Sequence, residues 1–318
     1  MKFKVIFRTI RNIFWVRPYF AHLCVTERCN LRCKYCQIWK NPTEELGIDG
    51  MKKIVDRLDQ MGVAIVSITG GEPLLREDIC EIIDYVSSKG LHVRVTSNGM
   101  LPIEKYKNLL GSKIDGISIS LDGIEGVDTP NSKVNPKILE TIKYIYENKK
   151  DKKFSISTVL HKGNQTEVRK IVEYVEKNFP GVGVFVQPIV VGTGDLRISS
   201  QNKVDPTVLR SIKTLDPEYF IDACETYYRS KRFDWKCKAG KVFFDIKPNG
   251  DFHICQDFQT KLNILSKDFM KMWNESNFQK TIDKCSGCTY SCYYLSQESF
   301  NPRNWGNMLK MGISYLKK

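Results

Sequence analysis

Three cysteines on one short loop constrain this chain more than any other feature of its sequence. Cys29, Cys33 and Cys36 directly follow an apolar run at residues 21–25, which predicts a strand. Three thiolates on one tight loop can hold three corners of a cubane iron–sulfur cluster, which leaves the fourth iron without a protein ligand. A zinc loop is the alternative, but such loops usually show paired C-x2-C elements and four nearby ligands. The C-x3-C-x2-C spacing therefore favours a cluster with one open coordination position.

Cysteine usage and charge set the broad class of the protein. Eleven cysteines with no secretion signal predict a reducing cytoplasm and metal binding rather than disulfides. No run of 18 apolar residues predicts a membrane-spanning helix. Of the 49 basic residues, nine lie in the first and last 20 positions, where no acidic residue occurs, so the net charge of +13 belongs mainly to the two ends.

Apolar runs alternate with helix-period stretches from about residue 20 to residue 191, which is typical of a parallel α/β unit and predicts a barrel domain over residues 21–215. Six strands with crossover helices predict a partial (β/α)6 TIM-like barrel, and an open doubly wound sheet is the competing architecture. The predicted strands are 21–25, 63–69, 91–96, 116–121, 154–159 and 182–191. The predicted helices lie near 48–61, 76–89, 102–110, 135–149 and 165–178.

A smaller α+β domain is predicted for residues 216–298. Two apolar runs, 242–246 and 252–255, flank Lys-Pro-Asn-Gly-Asp at 247–251, which is a strong hairpin signal. A helical stretch near 267–280 and a cysteine cluster follow. Residues 1–20 and 299–318 are left as basic amphipathic terminal segments.

Further polar motifs come directly after predicted strands, so they are expected at one rim of the barrel. They are Gly70-Gly71-Glu72-Pro73 after the second strand, Ser97-Asn98-Gly99 after the third, Ser120 to Gly123 at the end of the fourth, and Gln187-Pro188 within the sixth.

The cysteine loop and the Gly70–Pro73 segment together resemble the radical S-adenosylmethionine (SAM) enzymes, over residues 20–191. The resemblance implies a [4Fe–4S] cluster with an open iron that binds SAM. Cleavage with one electron, from an external reductant of flavodoxin or ferredoxin type, would give a 5′-deoxyadenosyl radical that removes a hydrogen atom from the substrate. No residue is assigned as catalytic beyond these cofactors, and His22 and Cys24 are interpreted as packing residues.

The same resemblance implies a SAM site made from the rim motifs. Gly70, Gly71, Glu72 and Pro73 would meet the methionine ammonium, with the Glu72 carboxylate as its counter-charge. Ser120 and Asp122 would bind the ribose, and Tyr35 with the backbone around Ile38 would meet the adenine. Ser97 and Asn98 are further candidates, although capping of the next helix explains them equally well. Many relatives place an arginine after the fourth strand, whereas residues 124–134 here offer only Lys133.

A second cysteine set resembles the twitch domain, the shortened SPASM domain of many radical SAM enzymes. The resemblance implies that Cys237, Cys255, Cys285 and Cys288 hold an auxiliary [4Fe–4S] cluster, with Cys292 as an exchangeable ligand or a bystander. A structural zinc site on the same four thiolates is the alternative. Such a cluster would accept an electron from the substrate, bind the substrate, or stabilise the domain. Cys80 and Cys224 are predicted to be buried structural thiols.

The terminal segments leave two interpretations open. Phe3, Ile6, Phe7, Ile10 and Phe14 share one helical face beside Lys4, Arg8 and Arg11, and Trp305 to Leu316 repeat this pattern with three lysines. Such faces suit peripheral contact with the inner face of an anionic membrane, but they also suit packing on the barrel.

The sequence therefore predicts a radical SAM oxidoreductase acting on a small molecule or a lipid or isoprenoid. A peptide-modifying maturase of the same superfamily is the first alternative. A non-catalytic cluster carrier and a nucleic-acid-binding iron–sulfur protein are the others, and the near-neutral body of the chain weighs against nucleic acid.

Overall fold

Nine strands form one sheet in the part of the chain that the computed structural model describes, which is residues 3–15, 17–33, 35–40, 42–124, 135–189, 204–205, 207–212, 214–230, 237–285 and 288–298. The strands are β1 (Phe20–Thr26), β2 (Ile65–Gly70), β3 (His92–Ser97), β4 (Gly116–Ser120), β5 (Lys153–Leu160), β6 (Gly183–Pro188), β7 (Phe243–Ile246), β8 (Asp251–Cys255) and β9 (Phe258–Asn263). Their order is β6-β5-β4-β3-β2-β1-β7-β8-β9.

Eleven α-helices accompany these strands within the described residues. They are α1 (Phe3–Trp15), α2 (Ile48–Met61), α3 (Ile79–Ser88), α4 (Ile103–Gly111), α5 (Pro136–Asn148), α6 (Gln165–Asn178), α7 (Thr207–Arg210), α8 (Glu218–Ser230), α9 (Phe269–Glu275), α10 (Gln279–Ile282) and α11 (Ser291–Glu298). Short 3-10 turns lie at Ile38–Lys40, Pro73–Leu75 and Lys162–Asn164.

The six strands of the first half are parallel and adjacent in chain order, from β1 to β6. Right-handed crossovers between successive neighbours put every connecting helix on the same face of the sheet. A doubly wound sheet would need its strand order to reverse. The predicted partial barrel is therefore confirmed, and each predicted strand and helix of this half is present.

The two faces of the barrel strands differ in chemistry. Outward residues such as Val66, Ile68, Val93 and Val95 are fully buried, and they belong to one core with the apolar faces of the surrounding helices. The helix α2 buries Met51, Ile54, Val55, Leu58 and Met61 at helical spacing. The inward positions are largely polar instead, as described below.

The C-terminal part of the chain extends the same sheet. Strand β7 pairs in parallel with β1, and the β7–β8 and β8–β9 pairs are antiparallel. The predicted hairpin is present: the Gly250 N–H donates to the Lys247 carbonyl over 2.9 Å, and Gly250 has a φ of +86°. Glycine adopts that left-handed conformation without steric cost. The boundary at residue 216 divides a continuous sheet, and the two-domain description stays a prediction.

The N-terminal helix α1 is fixed to the barrel by its cations. Lys4 and Arg8 both form ion pairs with Asp59 of α2, at 2.9 and 2.8 Å. The Arg8 guanidinium also donates to the Val63 carbonyl, and the buried Asn12 amide donates to the Gly62 carbonyl. Phe7 is 57% exposed. The other predicted aromatic and aliphatic side chains of this face, and residues 299–318, lie outside the description.

None of the described helices combines the length and the apolar character that crossing a bilayer requires. Of the two predicted structural thiols, Cys224 is buried and Cys80 is half-buried.

Candidate active site

The cysteine loop opens onto a cavity of about 400 Å³ that extends into the barrel. Cys29, Cys33 and Cys36 all line this cavity. The loop begins where β1 ends, and the carboxyl ends of parallel strands meet on one face of such a barrel. The loops after β2 and β3 reach the same cavity through Gly70, Gly71 and Asn98. The rim predicted from the sequence is therefore present.

Gly70 and Gly71 bring two backbone segments into close contact. The Gly71 N–H donates to the Thr26 carbonyl and the Glu72 N–H to the Arg28 carbonyl, both over 2.8 Å. A Cβ atom would lie 2.0 Å from the Thr26 oxygen at position 70, and 2.2 Å from the Arg28 oxygen at position 71. Both distances are far below contact, so only glycine allows the cysteine loop to approach this strand end.

The Glu72 side chain is directed away from the cavity. It is completely buried, and its two carboxylate oxygens accept hydrogen bonds from the Leu74 and Asn98 N–H groups, at 3.1 and 2.7 Å. From the family resemblance, this carboxylate was expected to meet the SAM ammonium. The structure uses it to cap the turn at Pro73–Leu75 and to join the ends of β2 and β3. Pro73 is buried in the same turn.

Tyr35 connects the cysteine loop to the end of β4. Its ring lines the cavity, and its hydroxyl donates to the Asp122 carboxylate. Burial and the neighbouring Asp122 charge raise the pKa of Tyr35 well above its ordinary value. Asp122 is 2% exposed and also accepts from the Val159 N–H, so its carboxylate positions Tyr35 rather than lining the cavity. Ser120 and Ile38 do line it.

Ser97 and Asn98 lie between the cavity and the first cysteine. The Asn98 amide donates to the Asn30 side chain over 2.7 Å and approaches the Cys29 sulfur at 3.8 Å. Its oxygen accepts from the Met100 N–H, and the Ser97 hydroxyl contacts the Tyr106 hydroxyl at 3.2 Å. Neither side chain caps a helix, so the capping alternative is wrong for both: α4 begins after Pro102 with no side-chain cap.

Within the second cysteine set, Cys292 has different surroundings from the other four thiols. Burial raises the pKa of Cys288, and the neighbouring Cys237, Cys255 and Cys285 raise it further. Cys292 instead lines the cavity and faces His22. Among the described side chains, no three from His, Cys, Asp and Glu converge closely enough to hold a metal ion. Cys29, Cys33 and Cys36 nevertheless line one cavity, and Cys237, Cys255 and Cys285 lie in the surroundings of Cys288. Thiolates are the donors that iron–sulfur clusters and zinc use.

A buried polar cluster connects β1 to the C-terminal part. His22 Nδ1 lies 2.9 Å from the Asp245 carboxylate, which also accepts from the Tyr293 hydroxyl at 2.6 and 2.7 Å. Burial alone would lower the pKa of His22, but Cys292 and Asp245 outweigh it and raise that pKa to about 10. The sequence analysis interpreted His22 as a packing residue and did not identify Asp245 or Tyr293.

The end of β6 holds the last cysteine segment against the barrel. The Gln187 side chain donates to the Thr289 carbonyl and accepts from the Ser291 N–H at 2.6 Å and from the Ser291 hydroxyl at 2.8 Å. The sequence placed Gln187 and Pro188 on the functional rim, and both line the cavity. Gln187 thereby links the second cysteine set to the site of the first.

Sequence reasoning missed the inward strand residues. Ser67, Arg94, Ser118 and Ser157 line the cavity from β2, β3, β4 and β5. The signal was present in segments such as Gly-Ile-Ser-Ile-Ser at 116–120, where serine alternates with buried isoleucine. In a parallel sheet packed by helices on both faces, such positions would be apolar.

The sequence matches the family model described as radical SAM superfamily over residues 23–175. Among curated proteins, it is 38% identical over 110 residues to the GTP 3′,8-cyclase of Lactiplantibacillus plantarum, covering 32% of this chain and 33% of the cyclase. It is 31% identical over 159 residues to the AdoMet-dependent heme synthase of Methanosarcina barkeri, covering 48% of this chain and 46% of the synthase. The chain thus spans about a third of the length of that cyclase and just under half of that synthase.

Two groups of solved structures share the fold. Streptococcus suis SuiB bound to S-adenosylmethionine aligns with a TM-score of 0.66 and 21% identity, over 84% of this chain and 68% of SuiB. The structure of anSMEcpe with bound AdoMet and the Cp18Cys peptide aligns with a TM-score of 0.59 and 17% identity, over 95% of this chain and all of that one. At these identities the likeness shows a common architecture.

Proposed function

This chain belongs to the radical SAM superfamily of iron–sulfur enzymes, and on that premise we propose that it removes a hydrogen atom from a substrate bound in its barrel. The family uses a [4Fe–4S] cluster and SAM, which together supply a 5′-deoxyadenosyl radical. The observation that carries the proposal is the convergence of Cys29, Cys33, Cys36 and the Gly70–Gly71 backbone on one cavity.

The chain's own residues have three tasks in this proposal. Cys29, Cys33 and Cys36 would hold the cluster, and the Gly70 and Gly71 backbone would receive the methionine end of SAM. Ser120 and the Tyr35 ring, which Asp122 orients, would contact the nucleoside. Glu72 would act indirectly, because its carboxylate fixes the turn that presents the two glycines.

The auxiliary cluster is proposed on Cys237, Cys255, Cys285 and Cys288, because the first three lie near enough to Cys288 to raise its pKa. Cys292 is left out of the proposed ligand set, since it lines the cavity beside His22. These four thiols would hold a cluster that takes up one electron from the substrate radical, which makes the proposed reaction an oxidation.

Anaerobic reconstitution tests these assignments together. We expect roughly eight irons per chain, for two four-iron clusters, and formation of 5′-deoxyadenosine on reduction with SAM. About four irons with one zinc would overturn the auxiliary cluster alone. Intact clusters that produce no 5′-deoxyadenosine would overturn the enzymatic proposal and favour a carrier.

Two cysteine variants distinguish Cys292 from the other four. Cys288→Ala should lose about four irons per chain, because it removes a ligand of the second cluster. Cys292→Ala should keep its full iron content, measured by the same iron assay and by Mössbauer spectroscopy. Equal iron loss in both variants would make Cys292 a ligand.

A modified peptide is the second candidate substrate. SuiB has been solved bound to its precursor peptide SuiA and aligns with this chain at a TM-score of 0.66. Peptide, small-molecule and lipid substrates are separable by the rate of 5′-deoxyadenosine formation: a true substrate accelerates it, while a non-substrate leaves the slow background rate unchanged.

A peripheral membrane contact through helix α1 is also proposed. Lys4 and Arg8 form ion pairs with Asp59 and so face the barrel. Among the described side chains of α1, the exposed Phe7 supports a membrane contact. Flotation of the whole protein with anionic liposomes tests the contact, and Phe7→Ser should reduce it. If the wild type and Phe7→Ser both partition in the same way with and without liposomes, the proposed membrane contact is wrong. The case for a lipid substrate then loses its support.

A further inference from the structure

One row of neighbouring residues crosses the barrel sheet below the cofactor loops. The strand pairing joins its members in order: Asp245, His22, Ser67, Arg94, Gly116 and Lys153. His22, Ser67 and Arg94 line the cavity. Gly116 faces the same side, because Ser118 and Ser120 do and side chains alternate along a strand. Arg94 therefore lies in the lumen beside a position that carries no side chain.

The Arg94 guanidinium makes no hydrogen bond, ion pair or ring contact with any residue in the described ranges. Other internal arginines of the barrel are paired: Arg76 bonds Asp78 at 2.7 Å and the Val25 carbonyl at 3.0 Å, and Arg8 bonds Asp59. Arginine never loses its charge in proteins, and a half-buried cation without a counter-charge is costly. Arg94 therefore differs from its counterparts in having five donors available.

The carboxylate in the same row does not neutralise Arg94. Asp245 is three strands away, which corresponds to about 14 Å at the usual spacing of neighbouring strands. Its carboxylate oxygens already pair with His22 and accept hydrogen bonds from the Tyr293 hydroxyl. Among the described residues, no carboxylate pairs with the Arg94 charge.

A buried hydroxyl lies next to the guanidinium on the neighbouring strand. Ser118 is two residues beyond Gly116, the residue that pairs with Arg94, so the two side chains are diagonal neighbours. Ser118 is 2% exposed, lines the cavity, and its Oγ has no hydrogen-bond partner among the described residues. Buried hydroxyls are normally paired, so this one is available to a bound group.

We propose that Arg94 and Ser118 bind an anionic group of the substrate, a carboxylate or a phosphate, in the lumen of the barrel. The planar fork of arginine bonds two oxygens of either group, and the serine hydroxyl donates to an oxygen of the same group. Arg94 precedes Asn98 by four residues, which places the anion about 13 Å along the strand from the cofactor rim. The substrate is thereby anchored at one end while its other end reaches the proposed site of radical formation.

The assignment of this anion to a substrate rests on the proposed function, but anion binding can be measured without catalytic turnover. The reconstituted, SAM-loaded protein is titrated by calorimetry with inorganic phosphate and with acetate, and acetamide serves as the uncharged counterpart of acetate. We expect one saturable site for at least one anion and none for acetamide. Phosphate alone would indicate a phosphorylated substrate, and acetate alone a carboxylic acid.

Variants locate the site. Arg94→Gln should lower the affinity for the anion at least about tenfold, as expected for loss of a charge-assisted pair of hydrogen bonds. Ser118→Ala should lower this affinity less. Arg94→Lys keeps the charge but loses the fork, and should lie between wild type and Arg94→Gln. The control is Arg169→Gln, an exposed arginine of α6, which should bind the anion as wild type does.

Three results would overturn the assignment. They are no saturable anion site in the wild type, unchanged binding in both Arg94→Gln and Ser118→Ala, and a parallel loss of SAM affinity in Arg94→Gln. The last would place the guanidinium in the SAM site. A wild type that binds the anion but forms no 5′-deoxyadenosine would instead overturn the proposed function and leave the anion site standing.

Discussion

Gly70 and Gly71 allow a contact between backbones that no other residue type would permit. The carbonyls of Thr26 and Arg28 occupy the space in which their Cβ atoms would lie. Gly70 also has a φ of +142°, which L side chains rarely adopt. The position of the cysteine loop relative to the proposed SAM site thus depends on the absence of a Cβ atom at these two glycines.

Gly71→Ala should displace the cysteine loop, because its new methyl group would lie 2.2 Å from the backbone oxygen of Arg28. We expect a loss of about 1–3 kcal/mol in the free energy of unfolding, as for other overpacked sites. SAM affinity should fall at least about tenfold, which equals 1.4 kcal/mol. Urea unfolding and equilibrium dialysis measure the two effects.

Gly111→Ala is the matched control for this substitution. Gly111 ends α4, and no atom lies within 4 Å of the place its Cβ would take. Alanine there should leave SAM affinity unchanged and slightly raise helix stability. If Gly71→Ala behaves in the same way, the close approach of the two backbones has no bearing on the site.

At the scale of elements, the β6 edge of the described sheet is held by a buried acid. Asp216, just before α8, accepts a hydrogen bond from the Val186 N–H at 2.7 Å, while its other oxygen has no partner among the described residues. Burial raises the pKa of Asp216 to about 7. The folded protein therefore keeps a proton that the unfolded chain releases near pH 4.

Stability should consequently fall as the pH rises from about 4 to about 7, since the folded state binds the additional proton over that window. Asp216→Asn removes this titration and keeps an oxygen for Val186. Between pH 5 and pH 8 the variant should gain about 2 kcal/mol relative to wild type. Urea unfolding at both pH values measures the difference, and a difference independent of pH would contradict the raised pKa.

At the scale of the whole molecule, an ion pair connects the C-terminal hairpin to the first loop of the barrel. Lys247 lies 2.6 Å from Glu27, whose side chain is 4% exposed. The other Glu27 oxygen accepts from the Thr43 N–H, and the Pro248 carbonyl accepts from the Leu46 N–H. The hairpin thus fixes the segments on both sides of the cysteine loop.

Lys247→Met should destabilise the protein by about 2–3 kcal/mol, because it leaves the buried Glu27 charge without its partner. The double variant Lys247→Met/Glu27→Gln should recover part of that loss, since no unpaired charge remains. Urea unfolding of the wild type, of Lys247→Met, of Glu27→Gln and of the double variant gives the coupling energy.

Lys105→Met is the control for this ion pair. Its partner Glu77 is almost fully exposed, so this pair should contribute no more than about 1 kcal/mol. If Lys247→Met costs no more than Lys105→Met, the Lys247–Glu27 ion pair does not hold the two halves of the molecule together.

The sequence alone determined the fold and the family. Periodicity predicted six parallel strands and their helices, because a strand alternates every two residues and a helix every 3.6, independently of distant contacts. The cysteine loop and Gly70–Pro73 identified the superfamily, because close backbone approach and metal binding demand particular residue types at fixed spacing. Both conclusions are confirmed by the strand order and the family match.

Only the tertiary structure decided which polar side chains face the cavity. Glu72 and Asp122 have the right chemistry for SAM, yet backbone amides use their oxygens. Arg94 and His22 had no motif around them, since their neighbours come from strands distant in sequence. A sequence records residue types and local spacing, whereas the partner of a charge is set by long-range packing, and that packing determines whether the charge supports the fold or remains available to a ligand.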